Sequence, residues 1–301
     1  MSELQPRGPF SLQAAAGFGF GPSEGSPPAF DGTMRMAFPV DGGRGYAGAM
    51  LRQPQPDGPV TVALELRDDA RQEAALAQIA RIVSLDHDGE GFIALGEADP
   101  VLGALQRAHP GQRPVLFHSP YEAAAWAVIS ARRPAGQGAR VRDDLARQFG
   151  ETFELDGVSV LAFPQPEHLA QLGDRFPGLD LEKLARLRSV AGAALAGELD
   201  VSRLHELGPQ AAFADLQGLR GIGPFYAGLV VLRASGFADV PLFGPEPKLL
   251  GHLASFYELT EPPPLHPQYL ALTERWRPFR TWATVLVRLA GERGPRLPAG
   301  G

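Results

Sequence analysis

The stretch Leu219-Arg220-Gly221-Ile222-Gly223-Pro224 constrains the fold more than any other part of this chain. Two glycines bracket one apolar residue, which lets the backbone reverse sharply. A proline follows at what reads as the first position of a helix, where its missing N–H costs nothing. Helical spacing on both sides predicts helices over Gln210–Gln217 and Pro224–Ser235, with Ile222 filling the space between them. The second helix would then present free amides and the positive end of its dipole, which suits a phosphate. An ordinary helical hairpin with a glycine turn satisfies the same letters, because Gly-x-Gly alone is a weak signal.

The chain changes character once on either side of residue 98. Residues 1–32 are rich in Gly and Pro and read as irregular beyond a short segment near Phe10. Three β-prone stretches follow, Thr33–Pro39, Tyr46–Arg52 and Val60–Leu66, separated by the turns Asp41-Gly42-Gly43 and Pro56-Asp57-Gly58. That order suits an antiparallel meander. A helix is expected from Asp68 to about Leu85, on the spacing of Ala75, Ile79, Ile82 and Val83. Residues 33–98 thus read as an antiparallel α/β domain. Residues 99–290 read as helical almost throughout. Helices are expected after Asp99-Pro100, over Tyr121–Ser130 behind the cap Ser119-Pro120, and over Gln137–Phe149. Others are a short one after Phe163-Pro164-Gln165-Pro166, then Leu181–Leu195 closed by Gly197, Pro247–Phe256 and Pro267–Ala290. Residues 291–301 read as a disordered tail. The fold class is therefore α+β.

With no cysteine, disulfides, thiolate metal sites, cysteine nucleophiles and iron–sulfur clusters are excluded together. The histidines (His87, His109, His118, His168, His205, His252 and His266) lack paired ligand spacing. No apolar run approaches the roughly 20 residues of a membrane helix, and no signal-peptide pattern opens the chain, so a cytoplasmic protein is expected. A net charge of −6 argues against non-specific coating of nucleic acid. Arginines nevertheless cluster twice: Arg132, Arg133, Arg140, Arg142 and Arg147 against Asp143 and Asp144, and Arg275, Arg277, Arg280, Arg288, Arg293 and Arg296 against Glu274 and Glu292. Two basic patches suit a DNA cleft, and solvated helix faces give the same count.

Five blocks together resemble the helix-hairpin-helix (HhH-GPD) DNA glycosylase superfamily, in its 3-methyladenine DNA glycosylase II branch. They are Ala80–Asp86, Ser119–Ala123 continuing to Phe149-Gly150-Glu151, Phe163–Ala170, the hairpin itself, and Arg275–Ala283. The resemblance spans about residues 30–290. It implies the N-terminal antiparallel α/β domain followed by the mostly helical glycosylase fold, in two subdomains with a cleft between them. It implies a monomer acting on damaged double-stranded DNA, with no membrane partner. The implied reaction is hydrolysis of the N-glycosidic bond of an alkylated base flipped into a pocket.

The family's catalytic aspartate lies beyond the second hairpin helix. Here, counting without gaps puts Pro245 at that position; one inserted residue puts Glu246 there, before Pro247 at a helix N-terminus that favours negative charge. Glu246 reads either as the carboxylate that stabilises the sugar cation or as a helix cap. Phe225 stands where lyase-type relatives carry a Schiff-base lysine, which implies a monofunctional enzyme. Phe225, Tyr226, Trp126 and Trp282 are the candidates for sandwiching a base, although aromatic residues on helices are more often core. Leu229 and Arg288 stand where the branch often has further aromatics, implying a different pocket. Arg132 occupies the wedge position, and Arg133, Lys248 and Leu219–Gly223 are the other DNA-contact candidates. No organic cofactor is implied; the family's hairpins often hold a monovalent cation through backbone carbonyls, here Gln217, Leu219 and Gly221. The alternative function is a catalytically weak or inactive homologue that binds damaged DNA. A third is a helical protein whose hairpin meets protein.

Overall fold

The computed structural model describes residues 1–18, 30–42, 45–244, 246–259 and 266–293. Most of the expected irregular N-terminal stretch beyond residue 18, Gly43 of the first turn, Pro245, and residues 294–301 of the expected tail lie outside these.

The chain opens with strand β1 (Ser2–Leu4) and a short helix α1 (Leu12–Ala16) capped by Ser11. Strands β2 (Thr33–Pro39), β3 (Tyr46–Arg52) and β4 (Val60–Arg67) form the antiparallel meander, in the order β1-β4-β3-β2. Register pairs Thr33 with Arg52 and Tyr46 with Arg67; β1 joins the edge through Ser2 opposite Val62. Helix α2 (Gln72–Ile82) covers one face, burying Ala75, Ile79 and Ile82 against Phe10, Phe38 and Leu51. It starts later than Asp68, which turns at φ 55°. A hairpin of β5 (Glu151–Leu155) and β6 (Val158–Ala162) covers part of the other face. Phe153 lies where a Cβ on Gly48 would stand, 2.4 Å from its ring, so the sheet admits the ring only because residue 48 is glycine. Cover on both sides explains why β2 is buried along nearly its whole length rather than alternating.

The remaining elements are helical. Helices α3 (Glu90–Ala98) and α4 (Pro100–Ala108) share the junction Asp99, which caps α4. Helix α5 (Pro120–Ser130) is buried on all sides, with Ser119 accepting from Glu122 N–H and Pro120 in the first turn. Around it pack α6 (Ala135–Phe149), α7 (Pro166–Ala170), α8 (Leu181–Leu195), α9 (Val201–Leu216) and α10 (Pro224–Arg233). Helix α9 kinks at Gly208-Pro209, where Gly208 has φ 73°. A third core joins α3 and α4 to α11 (Pro247–Phe256), α12 (His266–Thr273) and α13 (Arg280–Arg293). The single helix expected over Pro267–Ala290 is broken by a 3-10 turn at Glu274–Trp276 and by Pro278, which has no N–H to donate. No described helix is long and apolar enough to cross a membrane.

One buried arginine joins the start of the chain to the rest. Arg113 donates to the carbonyls of Arg7 (2.5 Å), Gly8 (3.0 Å) and Pro9 (3.0 Å), and to those of Ser84 (2.9 Å) and His87 (3.3 Å). Burial pulls its pKa down to about 10 against the opposing effect of Asp88, Asp57 and Asp86.

Candidate nucleic-acid interface and active site

The glycine hairpin is built as a chain of short backbone bonds. Gly218 N–H donates to Asp215 (2.9 Å), Leu219 to Leu216 (3.1 Å) and Ile222 to Leu219 (3.0 Å). Gly221 takes φ 94°, a region that side chains rarely adopt. Ile222 is buried in the core shared by α5, α8, α9 and α10. Gly223 then precedes α10 with Pro224 in its first turn and provides no side-chain cap. The first amides of α10 are thus available to an external acceptor. The carbonyls of Gln217 and Gly221 accept no loop hydrogen bond among the described residues, whereas that of Leu219 takes Ile222 N–H and keeps one lone pair. No side-chain cluster suited to a metal occurs among the described residues.

Helix α8 links this hairpin to the turn after α5. Arg186 lies so close to Gly221 that a Cβ there would meet its Cδ at 2.6 Å. Glu182 joins Arg186 (3.1 Å) to Arg220 (3.1 Å). One residue on, Lys183 Nζ donates to the carbonyls of Ile129 (3.1 Å) and Ala131 (2.8 Å), capping the end of α5. Arg132 follows at φ 55°, exposed and without a partner among the described residues, while Arg133 donates to Gly178 O (2.5 Å). Lys183 and Arg186 escaped the sequence reading because their neighbours are set by tertiary packing. Lys248 is exposed on α11.

The two arginine clusters do not survive as free patches. Arg142 is spent on buried Glu122 (2.6 Å), Arg147 on Asp144 (2.7 Å), Arg277 on Glu274 (2.9 Å), and Arg280 on Asp239 (2.6 Å) and Glu274 (2.6 Å).

The segment after α10 is pinned at both ends. Asp239 pairs with Arg280, and Thr281 exchanges hydrogen bonds with Ala238 and Val240. Phe243 stacks on Phe213 with centroids 4.0 Å apart and lies against Gly228 of α10. Glu246 then caps α11: its Oε2 accepts from Leu249 N–H at 2.7 Å and from Arg288 Nη1 at 2.7 Å. Oε1 has no partner among the described residues. The carboxylate keeps 23% of its side-chain surface.

The aromatic candidates separate. Phe225 is 68% exposed at the start of α10, with Tyr226 edge-on at 5.3 Å. Trp282 is 2% exposed, packed among Phe92, Phe279 and Arg113, and so belongs to the core rather than to a cleft wall. Trp126 lines a different cavity, of about 380 Å³, with Met36, Phe117, His118, Glu122 and Arg142. Three polar groups of that cavity pair together: Glu122 accepts from His118 Nδ1 (2.8 Å) and from Arg142.

No family model matches the chain. Over 217 residues it is 24% identical to the DNA-3-methyladenine glycosylase of Bacillus subtilis, covering 71% of each chain. Over 260 residues it is 30% identical to the "Probable bifunctional transcriptional activator/DNA repair enzyme AlkA" of Mycobacterium tuberculosis. That match takes in 84% of this chain and 49% of the relative, so the chain spans about half the length of that protein. Among solved structures, a 3-methyladenine DNA-glycosylase from Archaeoglobus fulgidus superposes with a TM-score of 0.76 at 20% identity, covering 97% of this chain and 98% of that one. An 8-oxoguanine glycosylase/lyase of Clostridium acetobutylicum, in complex with double-stranded DNA, superposes with a TM-score of 0.64 at 16% identity, covering 94% and 92%. At these identities the solved structures speak for the fold alone.

Proposed function

The chain belongs to the helix-hairpin-helix DNA glycosylase superfamily, in its 3-methyladenine, AlkA-type branch, and from that premise we propose that it is a monofunctional hydrolase that releases alkylated, 3-methyladenine-like bases from duplex DNA. The observation that carries this reading is the Glu246 carboxylate: held at the N-terminus of α11 by its Oε2, it leaves Oε1 without a partner among the described residues. The Phe243 contact with Gly228 brings the lead-in to Glu246 against the helix that carries Phe225.

In this reading the hairpin amides and the arginines around α8 hold the phosphate backbone. Arg132 enters the gap left by the flipped nucleotide, and Phe225 stacks on the base. As the C1′–N bond breaks, its electron pair leaves with the base. Oε1 faces the cation developing on the sugar and orients the water that adds to C1′. Position 225, where lyase-type relatives carry the Schiff-base lysine, is a phenylalanine, so in this reading the product is an abasic site. A monovalent cation on the carbonyls of Gln217, Leu219 and Gly221 would stiffen the hairpin against the phosphate.

The test is release of base from an alkylated duplex, read as alkali-labile strand cleavage. Glu246→Ala is expected to lower the rate by about a hundredfold or more, the scale of losing an electrostatic group in a transition state. Full activity in that variant would sink the mechanism. A second reading, damage recognition without excision, is favoured by one observation: Oε2 is already committed to a helix cap and an ion pair. It predicts tighter binding to alkylated or abasic duplex than to intact duplex, with no base released by the wild-type protein.

A further inference from the structure

We propose that Glu182 limits how tightly this chain grips the duplex backbone, by occupying in the free protein two arginines that the hairpin offers to a phosphate; the inference rests on the reading above of the hairpin as a phosphate anchor. Glu182 stands in the first turn of α8, where a carboxylate suits the helix dipole. Its Oε1 accepts from Arg186 Nε at 3.1 Å, four residues along the same helix. That contact alone is an ordinary helix-surface pair. The second contact is not local. Arg220 Nη2, inside the glycine hairpin and 38 positions away, reaches Oε2 at 3.1 Å and Oε1 at 3.3 Å.

The place of this carboxylate gives it a role beyond the helix. Arg186 runs beside the turn of the hairpin, with its Cδ 2.6 Å from where a Cβ on Gly221 would stand. Gly223 follows and leads into α10 without a side-chain cap. Glu182 therefore offers the hairpin arginines a pair of oxygens, as a phosphate does. All three side chains are open to solvent, at 50% for Glu182, 34% for Arg186 and 61% for Arg220, so an arriving phosphate can replace the carboxylate. Among the described residues Glu182 has no other cationic partner.

Two effects then oppose binding. The arginines must leave their ion pairs, and the carboxylate they leave faces the charge of the DNA backbone. Exposed pairs are individually weak, so the exchange is readily reversed. The group of three carries one net positive charge where the arginines alone would carry two, and the drive from counterion release is correspondingly smaller. The restraint acts at the backbone, so it weakens binding to every sequence and shortens the stay on intact DNA during a search.

The experiment follows fluorescence anisotropy of an intact, labelled duplex across a salt series. Glu182→Gln is expected to bind about three- to tenfold tighter than the wild type, the effect of dispensing with two exposed ion pairs. Its log–log salt slope should steepen by about one. Glu182→Asp keeps the charge and should hold the wild-type slope. Glu73→Gln, on the exposed start of α2, changes the net charge equally and should alter neither quantity. A glutamate that merely ordered Arg220 for the phosphate would give weaker binding when removed, so the sign of the change separates the two roles. Glu182→Ala replaces the glutamine variant if that fails to fold. Equal or weaker binding by the uncharged variant, an unchanged slope, or tightening matched by Glu73→Gln overturns the inference with the phosphate-anchor reading intact. Wild-type binding that ignores salt overturns the anchor reading and this inference with it.

Discussion

Glu122 lies in the first turn of α5 with almost no solvent contact, between His118 and Arg142. Burial pushes its carboxyl up, but the influence of His118 and Arg142, through charge and hydrogen bonds, outweighs that and holds it down to about 2. The folded value lies below the unfolded one, so the stabilisation is complete above the usual carboxylate range, near 4.5, and is lost as pH falls toward 2. Glu122→Gln removes the buried carboxylate of Arg142, which keeps Asp143 at 3.1 Å, and should cost about 3 kcal/mol at pH 7, measured by urea unfolding. The cost should shrink as the medium is acidified. Gly221→Ala should lose about 1–2 kcal/mol to strain at φ 94° and collide with Arg186, weakening DNA binding in a fluorescence titration more than it lowers Tm. At this scale the sequence was informative about position and silent about partners. That Glu246 heads a helix was legible from the Pro247 beside it; that Arg288, forty-two residues on, neutralises it was not.

Among the elements, the helices with a cap and a proline were the most legible, since Ser119-Pro120 and Asp99-Pro100 announce their starts by local chemistry alone. The β5–β6 hairpin inside the helical half was missed, although Asp156-Gly157 sits between two alternating runs, with both residues at positive φ as a two-residue hairpin turn requires. The long C-terminal helix was over-read because helical spacing continues through the Pro278 break. Helix α8 shows how an element acquires a role its sequence does not state, since Lys183 fixes the turn that presents Arg132. Burial, with Arg133 and Arg186 nearby, lowers the pKa of that lysine. Lys183→Met should free the carbonyls of Ile129 and Ala131, raise amide exchange across residues 131–134, and weaken duplex binding several-fold. Unchanged exchange there would remove α8 from the account of the interface.

For the whole molecule, a net charge of −6 and a DNA partner are compatible only if the contact face is locally positive. Near the hairpin the candidates for that face are Arg132, without a partner among the described residues, and Arg186 and Arg220, which share Glu182. Duplex affinity should therefore fall with salt, and Arg220→Ala should reduce the log–log slope by about one if Arg220 leaves Glu182 for a phosphate. An unchanged slope would assign Arg220 to its ion pair alone. The division into sheet and helices was readable in the sequence; the three cores were not, since the third joins α3 and α4 to helices some 150 residues away. The Arg113 staple carries its own consequence for biosynthesis. It binds Pro9 across 104 positions, so at ordinary translation speeds the leading residues wait roughly 5–20 seconds before the arginine that anchors them has been made. In that interval residues 7–9 lack this anchor, while β4, made earlier, is already available to pair with β1.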